Sequence, residues 1–258
     1  SLLEQVQIVH SRVRDLDEDK KKILVCHDLA TDPEVQHLKD GGWSKFDQIV
    51  FVSHWQREQY FMYLGVPYDK SIVLQNAIEP IEVHKKPNPK KKLNIIYFST
   101  PHRGFDLYGW KERDSQHQKL IDLLQAHPKI SYKRSVSNDV IREELKEHHI
   151  FAYPSIWQET SCLCLIEALS DGLYCVHSSL GALPETSMGL TQMYDFRDGI
   201  QNHIDAFYLE LKRAILAHEK NWVGVRNSTD SVKAIADFKY DWGQRKRQWN
   251  DMLKKLLT

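Results

Sequence analysis

Glu159 and Glu167 stand seven residues apart in the segment 151–186, FAYPSIWQETSCLCLIEALSDGLYCVHSSLGALPET. The helix predicted over 161–171 is apolar nearly all round, through Cys162, Leu163, Cys164, Leu165, Ile166, Ala168 and Leu169. A helix of that composition is buried. A carboxylate inside it is costly unless it is paired or hydrogen-bonded. Glu159, Thr160 and Ser161 surround the helix start, where free amide groups attract an anion such as phosphate. A diphosphate on those amides, with a carboxylate on either side to accept sugar hydroxyls, makes a workable nucleotide-sugar site. The spacing alone fits equally well a loop carboxylate at Glu159 and a Glu167 that meets solvent or an arginine.

Three other places carry chemistry. Arg103 beside Gly104, in the loop STPHRGF after a predicted strand, suits a phosphate. His27-Asp28 follows the apolar run ILVC. Ser53 and His54 follow the apolar run QIVFV and open a helix. The remaining candidates lack context. Asp15-Leu16-Asp17 has no strand before it and reads as a solvated turn. The pair His148-His149 and the seven tryptophans show no ligand spacing. Cys26, Cys162, Cys164 and Cys175 contain only a C-x-C pair, which is not a zinc knuckle, and read as buried thiols in a reducing cytoplasm.

Elements must hold these residues in place. The 258 residues are 41% apolar and 27% charged, which excludes disorder and fibrous folds. Thirty-five basic residues balance thirty-five acidic ones, so nucleic acid is not the expected partner. No apolar run approaches the roughly 18 residues of a membrane span. The charged beginning SLLEQVQIVHSRVRDLDEDK lacks a signal-peptide pattern.

Helical spacing of Leu2, Val6, Val9, Val13 and Leu16 predicts a first helix. Strands follow over 23–26, 48–52 and 71–74, with a helix capped by Ser53 and closed by Gly65. Residues 77–92 carry Pro80, Pro87, Pro89 and the run Lys90-Lys91-Lys92, and read as an inter-domain linker with a solvated lysine run. Strands resume over 93–98, 130–133, 150–153, 173–177 and 190–194, alternating with helices over 116–126, 138–148 and 161–171. Three helices complete the chain. Such alternation makes an α/β protein with parallel sheets, here two Rossmann-like lobes. Ligands then bind at the carboxyl ends of the strands, in the loops after Cys26, Phe98, Tyr153 and His177.

The strand-turn FAYPS, the helix ETSCLCLIEAL, the Asp171-Gly172 break and the GALPET loop, in that order, resemble the donor-binding region of GT-B glycosyltransferases of family 4. There an E-x7-E motif opens a helix after a strand and an apolar–Pro–Ser/Thr turn. The resemblance covers residues 28–186 and implies a GT-B fold with a shortened N-terminal lobe. Residues 1–80 would form the acceptor-side lobe and 81–235 the nucleotide-sugar donor lobe. A helix within 236–258, carrying Trp249, Met252, Leu253 and Leu256, would pack back on the first lobe. The implied reaction is sugar transfer from a UDP- or GDP-sugar to a hydroxyl of a glycan, lipid or protein. It would be a hexosyl transfer with retention, with no metal and no cofactor beyond the substrate.

By the same resemblance, His27 and Glu159 are the catalytic candidates, Glu159 touching the donor sugar. Glu167 would hold the ribose. Thr160, Ser161 and Cys162 would face the diphosphate, and Gly181, Ala182 and Leu183 would line the sugar. Arg103-Gly104 matches the second member of the family's basic pair. The first is replaced by Ser99 or Thr100, which leaves Lys133 or Arg134 to supply a charge. Ser53 and His54 are secondary contacts. Asn76 resembles the family's Asn-Gly pair, with Ala77 in place of the glycine. The short first lobe fits a compact variant, a fragment, or a chain whose site is completed by a partner subunit or a second copy. Two other functions share the pattern: a sugar-nucleotide epimerase of GT-B type, and a donor-binding subunit without catalysis.

Overall fold

The computed structural model describes residues 2–10, 15–99, 118–133, 136–196 and 199–258. The first lobe is built from β1 (Val6–His10), β2 (Lys21–Cys26), β3 (Gln48–Phe51), α1 (His54–Leu64) and β4 (Ser71–Val73). Its strands lie in the order β1-β2-β3-β4, all parallel. Leu24, Cys26, Ile49 and Phe51 bury one face of the sheet under Tyr60 and Leu64 of α1. The Ser53 hydroxyl caps α1 by accepting from the Gln56 amide at 3.0 Å. Gly65 closes it in the left-handed conformation at φ +67°.

The second lobe comprises β5 (Ile95–Ile96), α2 (Gln118–Ala126), α3 (Asn138–Leu145), β6 (Ile150–Tyr153), α4 (Leu163–Ser170), β7 (Tyr174–Ser178), α5 (Leu183–Thr186), β8 (Gln192–Tyr194), α6 (Ile200–Lys220) and α7 (Trp222–Lys239). The strand order is β5-β6-β7-β8, again all parallel. α4 is buried on this sheet through Leu165, Ile166, Ala168 and Leu169. The last helix, α8 (Trp242–Leu257), leaves the second lobe. Its Met252 and Leu253 are buried against Val6, Ile23, Val25 and Val50 of the first. Each such side chain contributes about 1.5–3 kcal/mol through its burial.

Three expectations change. The chain does not begin with a helix: a single 3₁₀ turn, Leu2–Gln5, leads into strand β1. Val6, Ile8 and Val9 are β-branched, and backbone pairing from Val6↔Lys21 to His10↔Val25 outweighs the incidental helical spacing. The strand expected over 130–133 does not form either. β5 pairs with β6, Ile95↔Ile150 and Ile96↔Phe151, and residues 130–133 add no strand on its other edge.

The segment 77–92 is not a loose linker. Ile78 and Ile81 are buried in the second-lobe core, and the Ile78 amide donates to the Tyr240 carbonyl at 2.9 Å. Lys86 is buried in an ion pair with Asp171 and donates to the Leu145 carbonyl at 2.8 Å. Prolines prevent strand pairing here but not packing. Lys90, Lys91 and Lys92 are exposed, as a solvated run should be.

Candidate functional site

The carboxyl ends of both sheets meet between the lobes. On the first-lobe side, β2 ends at Cys26, so His27 and Asp28 form its rim. His27 is exposed and stacks on His10, at the end of the neighbouring strand, with ring centroids 5.7 Å apart. The surrounding protein and the His10 imidazole both lower the basicity of His27. Gln56, wholly buried on α1, ties this rim together. Its Nε2 donates to the Asp28 carbonyl at 2.9 Å and its Oε1 accepts from the Val52 amide at 2.9 Å. The sequence offered no signal for Gln56, a mid-helix polar residue like many others.

On the second-lobe side, β6 delivers the loop that carries Glu159. The Glu159 backbone bridges to Gly181, and the Ala182 amide donates to the Glu159 carbonyl at 2.7 Å. Gly181 sits at φ +64°, where a Cβ would lie 2.6 Å and 2.7 Å from the Glu159 nitrogen and oxygen. Only glycine permits this approach. Ala182 and Leu183 are wholly buried behind the bridge.

The Glu159 carboxylate turns into the protein. The residue is 1% exposed, and its Oε1 accepts from the Tyr153 hydroxyl at 2.6 Å. The carboxylate thus lies beneath the loop that carries it.

α4 starts at Leu163, two residues later than expected, with Cys162 at the N-cap. Cys162 is wholly buried, and burial pushes its thiol far above the ordinary range. It offers backbone rather than a reactive sulfur. Thr160 and Ser161 precede the cap and reach across to the first lobe. The Thr160 hydroxyl donates to the His27 carbonyl at 2.8 Å, and the Asn76 amide donates to the Ser161 hydroxyl at 3.0 Å.

Glu167 is buried and meets an arginine. Its Oε1 accepts from Asn138 Nδ2 at 2.8 Å and pairs with Arg142 Nη1 at 3.5 Å. Arg142 is fixed in turn by the Glu79 carbonyl at 2.7 Å. Asn138 lies just inside α3 rather than at its cap, which is Ser137. That one-residue shift brings the amide onto Glu167. Lys133 is exposed and pairs with Glu144 at 3.6 Å. Arg103, Gly104, Thr100 and Arg134 lie outside the described residues.

The structure thus gathers His27, Thr160, Ser161, Cys162, Gly181, Ala182 and Leu183 around one inter-lobe seam, with Glu159 beneath it and Glu167 further along α4. Among the described residues no group of three or more His, Cys, Asp or Glu side chains is arranged to hold a metal ion. No described helix is long and apolar enough to cross a membrane.

No protein-family model matches the sequence, and no curated protein does. Solved structures do match in shape. A sucrose-phosphate synthase from Thermosynechococcus elongatus superposes with a TM-score of 0.73 at 11% identity, over 93% of this chain and 68% of the other. A glycosyltransferase from Rickettsia africae gives 0.71 at 13%, over 97% and 77%. HepE of Anabaena, solved with UDP and glucose, gives 0.68 at 14%, over 92% and 72%. The fold is that of the GT-B glycosyltransferases. At these identities the likeness concerns the fold alone, and the chain spans about two thirds to three quarters of each of these neighbours.

Proposed function

We propose that this chain transfers a sugar from a nucleotide-diphospho-sugar to an acceptor hydroxyl, as family 4 enzymes do. The observation that carries the reading is the second-lobe loop. A glycine-dependent bridge, Glu159 to Gly181, lies beside the α4 start, whose N-cap is the buried Cys162, and faces His27 across the seam. Neighbours of the same fold are described with UDP, with UDP-glucose, and with UDP and GlcNAc. The donor in this proposal is a UDP- or GDP-hexose.

Departure of a nucleoside diphosphate places negative charge on the leaving oxygen. Preorganised amides at a helix start stabilise such charge, and losing one donor of this kind typically lowers kcat about 10²–10³-fold. Transfer without a metal needs that charge met by amides and by a basic side chain, the role assigned to Arg103. Glu167, held in orientation by Asn138 and Arg142, accepts from ribose hydroxyls. His27, on the opposite rim, meets the sugar. Retention is proposed from the family resemblance alone, with no enzyme nucleophile. A cytoplasmic location agrees with four free cysteines.

The test is a thermal-shift and turnover series with UDP, GDP and their hexoses, using Glu167→Ala as control. A donor at 100 times its Kd adds about 2.7 kcal/mol of stability. Stabilisation of the parent by one nucleotide series, weakened in the variant, supports the reading. No response to any nucleotide refutes it. Donor binding without turnover over an acceptor panel favours the non-catalytic subunit.

A further inference from the structure

We infer that Glu185 is a positioning residue that couples the donor loop to closure of the two lobes; the inference rests on the donor-site reading above. Glu185 lies on α5, four residues after Gly181. Its carboxylate leaves its own lobe. Oε1 accepts from the His54 amide at 3.0 Å and from Gln75 Nε2 at 3.0 Å, and Oε2 accepts from the Trp55 amide at 3.0 Å. All three donors belong to the first lobe.

His54 and Trp55 form the first turn of α1. The Ser53 hydroxyl takes the Gln56 amide, so the two amides before it go to Glu185. A helix start carries partial positive charge and favours an anion. Two further hydrogen bonds across this seam, Thr160 to His27 and Asn76 to Ser161, are made by neutral groups. Glu185 brings the charged partner, onto two backbone amides of a helix start and one side-chain amide, that of Gln75.

The same residue is joined to the donor loop through a short stiff path. The Ala182 amide is bonded to Glu159, the Thr186 amide to the Ala182 carbonyl at 2.8 Å, and the Tyr240 hydroxyl to the Thr186 carbonyl at 2.7 Å. Glu159, Gly181 and Glu185 therefore move as one unit. The donor loop fixes the height of Glu185, and Glu185 fixes α1 and the rim that carries His27. Closure thus sets His27 against the donor loop without adding a contact to the nucleotide.

The experiment compares the parent, Glu185→Ala, Glu185→Gln and Gln75→Ala by small-angle scattering, UDP titration and steady-state kinetics. Glu185→Ala is expected to enlarge the radius of gyration of the ligand-free chain, with Glu185→Gln and Gln75→Ala in between. The Kd for UDP stays within about threefold while kcat falls about tenfold or more, a loss of roughly 1.4 kcal/mol at the transition state. A general packing defect would instead weaken UDP and kcat together. A ligand-free radius in Glu185→Ala equal to the parent's overturns the inference, as does an unchanged kcat. Should Glu185→Ala fail to fold, Gln75→Ala, which leaves the second lobe intact, decides by the same two readouts. Absence of UDP and GDP binding by the parent overturns the donor reading and is separately visible.

Discussion

Tyr153 donates its hydroxyl hydrogen to Glu159 at 2.6 Å, and this bond lies directly under the loop that bridges to Gly181. Burial and the neighbouring acid both disfavour ionisation of Tyr153, so the phenol remains the donor. Removing it leaves part of a buried carboxylate without its partner. Tyr153→Phe is expected to lower stability by about 1–3 kcal/mol. In a chain of this size each kcal/mol lowers Tm by roughly 2–4 °C. Calorimetry measures that loss, and a nucleotide titration should show weaker donor binding. An unchanged Tm would mean that Glu159 is satisfied by other groups.

Gly181→Ala separates backbone strain from steric exclusion. The new Cβ would fall inside the Glu159 backbone, so the bridge must open. Gly189 is the control. It also has positive φ, +69°, but nothing lies within 4 Å of an added Cβ. Its alanine variant bears only the left-handed penalty of about 1–2 kcal/mol. Loss of nucleotide-induced stabilisation is expected in Gly181→Ala and not in Gly189→Ala. Equal behaviour of the two would remove the bridge from the site.

What the residues revealed before folding follows from their periodicity and caps. Ser53, Gly65 and the apolar runs of β2, β3, β6 and β7 are local signals, and each is found where those signals put it. The α4 segment was legible because its composition leaves no face for solvent. What stayed hidden depends on distant partners. Nothing near Glu185 in the chain announces amides 130 residues away. Asn138 and Arg142 become partners of Glu167 only once α3 packs beside α4. The leading strand was masked by apolar steps of four and three residues, a helical spacing, until β2 supplied an edge. The prolines of 77–92 signalled a break in secondary structure correctly, while burial of Ile78, Ile81 and Lys86 required the second lobe.

Lys86 gives the sharpest energetic test of that segment. Burial lowers its ammonium to about 8 despite the Asp171 carboxylate beside it, and burial raises Asp171. His84 approaches the other Asp171 oxygen at 3.4 Å. Removing one member of a buried ion pair typically costs about 3–5 kcal/mol, whereas replacing both by apolar groups can be neutral. Lys86→Met is therefore expected to destabilise strongly and to raise protease cleavage within 77–92. Lys86→Met with Asp171→Leu should recover much of the loss in urea unfolding. Additive losses would show that the pair does not fasten the segment.

His177 sets a pH dependence with a definite sign. It is wholly buried on β7, with Nδ1 at 2.8 Å from the Ser178 carbonyl and Nε2 at 2.7 Å from the Thr191 hydroxyl. Burial holds the folded imidazole at about 4, against the ordinary value of about 6.5 in an unfolded chain. Between those values the unfolded chain binds the extra proton. The stabilising contribution is thus complete above about pH 6.5 and is lost as pH falls toward 4, a total of about 3 kcal/mol. Burial also lowers His148, His149 and His218, so the parent loses stability over the same acid range through several groups. His177→Asn removes one proton from that balance. The slope of unfolding free energy against pH, measured by urea titration near pH 5, should drop by about 1.4 kcal/mol per pH unit. The variant's stability at pH 7 sets only the height of its curve, so the slope remains readable even if packing suffers. Parallel curves for parent and variant would show that His177 already carries its proton in the folded chain.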